Sequence, residues 1–252
     1  MDNRELWLAA TLVELADSPD ADFGETTYSD RLALRLAQLL APAEVGVLIG
    51  DASALKAAAA STERAHRLVS FEVGHGEGPG TACYNSGQHV LNESLTVAGG
   101  RWPRFAAAAC AAGFGIVSSL PIRRHHETVG VINVLGTAEH PLGATETSLA
   151  QILAEAAAIA VQQQRALRRS TQTTAQLQRA LDSRVLIEQA KGAVAARLGI
   201  TPEAAFGLLR GFARRHNRLL AEVAGEAISG ELPAHDLVAT TPETSRSRTT
   251  GR

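Results

Sequence analysis

The sequence predicts an α+β domain, a central antiparallel sheet flanked by helices, followed by a long helix and an all-α three-helix module. Three observations carry this. Short alternating apolar runs, of which Glu44–Gly50 (EVGVLIG) is the clearest, recur between helical stretches up to Leu135. From Ala144 to Leu198 there is no proline and a single glycine, Gly192. Beyond Gly199 the apolar residues return at helical spacing in short blocks, closed by Gly230 and Pro233.

Two helices open the chain. Glu5 to Ala16 clusters Leu6, Leu8, Leu12, Val13 and Leu15, and Thr27 to Leu40 carries Leu32, Leu36 and Leu39 until Pro42 stops it. Strand-like runs follow Glu44–Gly50 at Arg67–Val73, His89–Glu93, Gly115–Ile122 and Thr128–Leu135. The last two flank the polar RRHHE and read as a hairpin. A Gly/Pro turn (residues 74–80) and a helix from Pro103 to Ala112 lie between the middle strands.

The stretch after Ala144 is longer than the roughly 25 residues at which an uncapped helical pattern suggests a coiled coil. A heptad seam runs through Leu149, Leu153, Ala156, Ala160, Gln163, Leu167, Ser170, Thr174, Leu177 and Leu181. Its ends are apolar and its centre polar. A parallel homodimer through residues 149–181 is expected, with a solvated linker helix as the alternative. Three short helices then follow. Ser183 to Leu198 presents Ile187, Ala190, Val194 and Leu198; Thr201-Pro202-Glu203 opens the next with cap, proline and acid; Arg218 to Ile228 closes the set with Leu219, Leu220 and Val223. Boundaries are expected at 1–162 for the α+β domain, 163–176 for a helical linker, 177–232 for the helical module and 233–252 for a disordered Ser/Thr-rich tail.

The 252 residues are 45% hydrophobic and 20% charged, with a net charge of -2. No run approaches the roughly 20 apolar residues of a membrane helix, and no signal-peptide pattern opens the chain, so a cytoplasmic protein is expected. Cys83 and Cys110 are too few for a disulfide framework or a Cys-rich zinc site. The average charge conceals a basic region. Between Arg179 and Arg218 eight basic residues face three acidic ones, a local charge of +5 that suits a phosphate backbone. Arg184 and Lys191 stand seven apart on one helix face with Glu188 between them, and Gly192 adjoins Lys191. A helix-interior glycine fits where another backbone comes close. Gly207 and Gly211 read as a small-residue pair for tight helix packing.

At this point the residues resemble a known family. Ser183-Arg184, Ile187-Glu188-Gln189-Ala190-Lys191-Gly192, Ala205-Phe206, Leu209-Arg210, Asn217, Leu220 and Val223-Ala224 together resemble the ANTAR family of RNA-binding antiterminator domains. The resemblance implies a dimer that grips paired RNA stem-loops in mRNA leaders and so prevents an overlapping terminator hairpin. Within it, Arg184 and Lys191 are expected on phosphate or loop bases, Ala190, Lys191 and Gly192 at a close approach, and Arg214, Asn217 and Arg218 at the backbone. The module has no Tyr or Trp, and Phe206 and Phe212 read as core.

The N-terminal part resembles a GAF domain, a small-molecule-sensing fold. The residues that carry this are Gly76-Glu77-Gly78-Pro79-Gly80, Arg101-Trp102-Pro103-Arg104-Phe105, Ser118-Ser119-Leu120-Pro121-Ile122 and Gly130-Val131-Ile132-Asn133-Val134. This implies an unknown small-molecule or protein signal. Where the subfamily often has Gly-Pro-Cys, this chain has Gly-Pro-Gly, with Cys83 three residues later. Cys83 is read as buried, with a redox-reactive thiolate as the alternative. His75, His89, His125 and His126 lack ligand spacing, so no metal and no cofactor are expected, and no catalytic residue is assigned. The reading is an RNA-binding antitermination regulator, not an enzyme. The alternatives are a protein-interaction scaffold and a thiol-dependent GAF enzyme.

Overall fold

The computed structural model describes residues 3–16, 25–50, 54–96 and 100–238. They divide into two compact units, with the boundary between residues 169 and 170. The long helix contributes to both.

In the first unit, β1 (Glu44–Gly50), β2 (Leu55–Ala60), β3 (Val90–Ser94), β4 (Ile116–Arg124) and β5 (Glu127–Gly136) form one antiparallel sheet in the order β2-β1-β5-β4-β3. The β4–β5 hairpin is as expected, turning at His125 with φ 55°. On one sheet face, α1 (Asn3–Ala16), α2 (Glu25–Leu39) and the start of α6 (Ala144–Leu198) enclose a core with Leu32, Leu36, Val47, Ile132 and Leu153. On the other lie α3 (Glu63–His75), α4 (Pro79–Ser86) and α5 (Pro103–Ala111), with Leu68, Phe105, Val69, Cys83 and Val131.

Two local expectations are corrected, and one strand is added. Residues 67–73 are helix rather than strand, because Ala65, Leu68, Val69 and Glu72 bury at helical spacing. Thr62 caps that helix through the Ala65 amide at 3.2 Å, and Gly76 ends it at φ 63°. The Gly/Pro turn continues into α4, with Pro79 in its first turn. LKAAAA, poor in strand formers, is the edge strand β2, drawn into the sheet by its pairing with β1.

α6 spans 55 residues, so the expected first short helix of the C-terminal module is its end rather than a separate element. Nothing between residues 163 and 183 breaks it. After it come α7 (Pro202–Arg215), α8 (Leu220–Ser229) and a short α9 (Ala234–Val238). Thr201 caps α7 through the Ala204 amide at 3.2 Å. Asn217, at φ 49°, makes the left-handed turn that ends α7, a conformation asparagine tolerates better than most residues. Ala190, Val194, Ala205, Leu209, Val223 and Ala227 are the buried centre of this unit. Leu219, expected inside, is instead 68% exposed, because it precedes the first turn of α8. Part of the expected disordered tail is ordered: α9 buries Leu237 against the same core, and residues 239–252 of that expectation lie outside the described residues. Among the described residues, no helix is long and apolar enough to cross a membrane.

Candidate nucleic-acid interface

The basic residues of the helical unit are not equivalent. Arg197 donates to the Ala227 carbonyl at 2.6 Å and reaches that of Ile228, satisfying the last turn of α8. Arg218 makes a two-pronged ion pair with Glu226, one contact at 2.8 Å, and approaches Glu222 at 3.9 Å. That pair holds the Glu226 carboxyl below the usual carboxylate range. Arg218, expected on the RNA backbone, therefore joins the α7–α8 turn to the end of α8. Ala190, expected at a close approach, is fully buried beneath α7 and α8, so its role is to let helices pack. Asn217 is exposed but has the backbone role given above.

The remaining cations face outward. Arg184, Arg210, Arg214 and Arg215 are exposed, and none of them is in an ion pair among the described residues. Lys191 Nζ lies 2.8 Å from Glu188 and 5.7 Å from the centroid of the Phe206 ring. The Glu188 side is solvent-exposed, so this pair is worth at most about 1 kcal/mol and is readily exchanged. Phe206 was expected in the core, yet it is half-buried and stands outside the apolar cluster. Phe212 does pack on that cluster, and its ring meets His216 with centroids 4.2 Å apart.

Four glycines lie inside the helices of this unit. A Cβ on Gly225 would meet Leu186 at 3.7 Å, and one on Gly211 would meet Arg215 at 3.3 Å. Among the described residues, one on Gly192 or Gly207 would meet nothing within 4 Å. Gly207 thus does not serve the tight packing expected of it, and no neighbouring helix explains Gly192. Each costs about 1 kcal/mol of helix stability relative to alanine.

In the first unit, polar groups on the α3/α4 face of the sheet are buried and mutually bonded. Glu72 is fully buried and accepts hydrogen bonds from the Thr81 amide (2.8 Å) and the Asn133 amide group (2.6 Å), while Ser119 donates to Asn133 Oδ1 at 2.7 Å. Burial outweighs these bonds and lifts the Glu72 carboxyl to about 7. A side chain at Gly80 would collide with Asn133 and Leu48, each under 3 Å away. Any side chain there would require Leu48 and Asn133 to shift. Cys83 is fully buried, its Sγ 3.5 Å from the Ser119 carbonyl, and burial with the nearby Glu72 charge pushes the thiol up to about 12. At neutral pH it is a thiol, in keeping with the buried reading rather than with a redox-reactive thiolate. A groove of about 590 Å³ on this unit is lined in part by Arg64, Asn92, Phe114, Leu135 and Leu142. Two of its polar residues are already engaged: Arg64 by Glu44 at 2.7 Å, and Asn92 by the Leu142 backbone at 2.8 and 3.0 Å. The histidines do not converge. His75 meets the Phe71 carbonyl and His89 meets Gln151, and among the described residues no group of three or more His, Cys, Asp or Glu is placed to hold a metal.

An α+β unit with a sheet covered on both faces, joined by one helix to a small unit with a basic face, defines a two-domain regulator. Residues 26–162 match the model of the GAF domain and residues 175–228 that of the ANTAR domain, in this order. The chain belongs to the GAF domain family and carries an ANTAR domain after it, which makes it a GAF–ANTAR regulator. Among solved structures it is similar to the GAF domain of a phosphoenolpyruvate-protein phosphotransferase from Acinetobacter, at 14% identity, 66% of this chain, 97% of that one and a TM-score of 0.49. The GAF domain of such a protein from Coxiella burnetii gives 17%, 67%, 99% and 0.49. A free methionine-R-sulfoxide reductase from Neisseria meningitidis gives 15%, 66%, 95% and 0.48. No curated protein matches the chain.

Proposed function

We propose that the chain is an RNA-binding antitermination regulator whose ANTAR unit stabilises paired stem-loops in mRNA leaders, under control of a signal received by the GAF unit. The observation that carries this is the basic face of an ANTAR unit, on which Arg184, Arg210 and Arg214 are exposed and Gly192 opens onto empty space. Phosphates attract the cations, and unpaired loop bases supply sequence information that an A-form stem conceals. Arg184, Lys191, Gly192 and Arg214 are the contacts proposed from the original set. Arg210, four residues from both Phe206 and Arg214 on α7, joins them. Ala190 supports the unit from its core, and Asn217 and Arg218 from the α7–α8 turn. Two RNA hairpins call for two ANTAR units, and Leu177 and Leu181, both largely exposed on α6, are the proposed pairing surface.

The test is a salt titration of RNA binding with the full chain. Arg184→Gln should weaken binding and lower the slope of log affinity against log salt by about 0.7, the contribution of one phosphate on a single strand. Arg218→Gln should lower the melting temperature of the helical unit and leave that slope unchanged. Equal slopes for wild type and Arg184→Gln would remove Arg184 from the interface. Absence of RNA binding by the wild type, with capture of an acidic protein instead, would favour an interaction scaffold.

A further inference from the structure

Phe206 is in an unusual position for a residue of its type. An aromatic ring kept for stability alone belongs in the core, yet this one is half-buried beside the apolar cluster. Its recorded partner is a cation, the Lys191 ammonium at 5.7 Å. Phe206, Arg210 and Arg214 follow one another at four-residue spacing on α7, while Arg184, Glu188 and Lys191 share a face of α6. The two glycines that face open space adjoin this pair in sequence, Gly192 after Lys191 and Gly207 after Phe206. Ring, cation, flanking arginines and bare backbone thus lie together in one unit.

We propose that Phe206, whose ring the Lys191 ammonium covers in the free chain, is the stacking platform for an unpaired base of the bound RNA, the ammonium moving aside to a phosphate, and that Gly192 and Gly207 are small so that the nucleotide can reach it. This rests on the RNA-binding reading above. Every base has a π face, so stacking on one phenyl ring holds a loop base without fixing its identity. Lys191 leaves its exposed partner Glu188 for a phosphate beside the stacked base. The arginines on either side neutralise the strand that enters and leaves the platform. A second copy of this chain lying against Gly192 is the competing occupant, and the experiment separates the two.

A two-hairpin RNA with randomised loops is enriched on the full-length wild-type chain, and its affinity is measured for Phe206→Leu, Phe206→Tyr and Gly192→Ala, alongside melting temperature and self-association. Phe206→Leu keeps the apolar volume and removes the π face. It should weaken binding by roughly five- to a hundred-fold without changing the salt slope. Phe206→Tyr should bind like wild type. Gly192→Ala, with room for its methyl, should raise the melting temperature and still weaken binding. Loops carrying 2-aminopurine should change fluorescence on binding wild type but not Phe206→Leu. Wild-type affinity in both Phe206→Leu and Gly192→Ala overturns the platform and leaves the RNA reading standing. No RNA enriched on the wild type overturns both. A change in self-association with unchanged RNA affinity per dimer assigns this face to a second copy instead.

Discussion

A carboxyl sealed between a helix and a sheet is either protonated or heavily hydrogen-bonded, and Glu72 is partly both. Its ionised form is held by the Thr81 and Asn133 donors, yet burial still lifts it to about 7 from the 4.5 of an exposed glutamate. A raised folded-state value means that the native protein binds the proton more tightly than the unfolded chain. This contribution to stability is therefore full below about 4.5 and lost as pH rises through about 7. The cost of ionisation is on the order of 3 kcal/mol. Glu72→Gln should flatten stability between these limits, with Asn133 and Ser119 reversing their hydrogen bonds to meet the new amide. Urea melts of both proteins across this range check it, and equal pH dependence would show that Glu72 does not titrate there. At this scale the sequence was legible where spacing alone decides, as for Arg184 and Lys191 on one face. It was not where a third element decides. Ala190 is buried by α7 and α8, and Arg218 is claimed by Glu226 eight residues on. Phe206 sits at the edge of a stripe, where periodicity does not separate core from rim.

Among the elements, α6 shows how two demands share one helix. The heptad seam read from the sequence includes Leu153 and Ala160, but both are buried in the core of the GAF unit. Their apolar surface is already spent within the chain. The exposed apolar residues on that stretch are Ile152 and Ile159, with Ala156 half-buried between them. Further on, Leu177 and Leu181 are 67% and 56% exposed, so the C-terminal end of the expected seam is open to a second copy. The double variant Leu177→Ala, Leu181→Ala should weaken self-association by roughly tenfold or more, since each leucine removed forfeits about 1–2 kcal/mol of burial in a paired helix. Affinity for a single hairpin should persist while the advantage for two linked hairpins is lost. Sedimentation of both proteins tests this, and an unchanged dimer would move the pairing surface elsewhere, Ile152 and Ile159 being the next candidates. The misread element has a local cause. RLVSFEV alternates well enough for a strand, and only the Thr62 cap and the helical spacing of its buried residues separate the two.

At the level of the whole molecule, each unit has its own apolar core, and the two family matches fall on opposite sides of the change from residue 169 to 170. The change read from the sequence falls earlier, at Ala144, where strands and Gly/Pro turns give way to a long stretch without them, because the start of α6 is still part of the GAF core. The basic face was legible in charge and became specific through the resemblance to ANTAR. The buried Glu72–Asn133–Ser119 chain and the groove of the GAF unit were not legible, because they exist only once strands and helices meet. The most direct test of the account is single-round transcription through a leader in which two hairpins bound by the chain overlap a terminator. Adding the full-length protein should raise read-through in proportion to hairpin occupancy, and Arg184→Gln should reduce the gain. Tight hairpin binding with unchanged termination would contradict it.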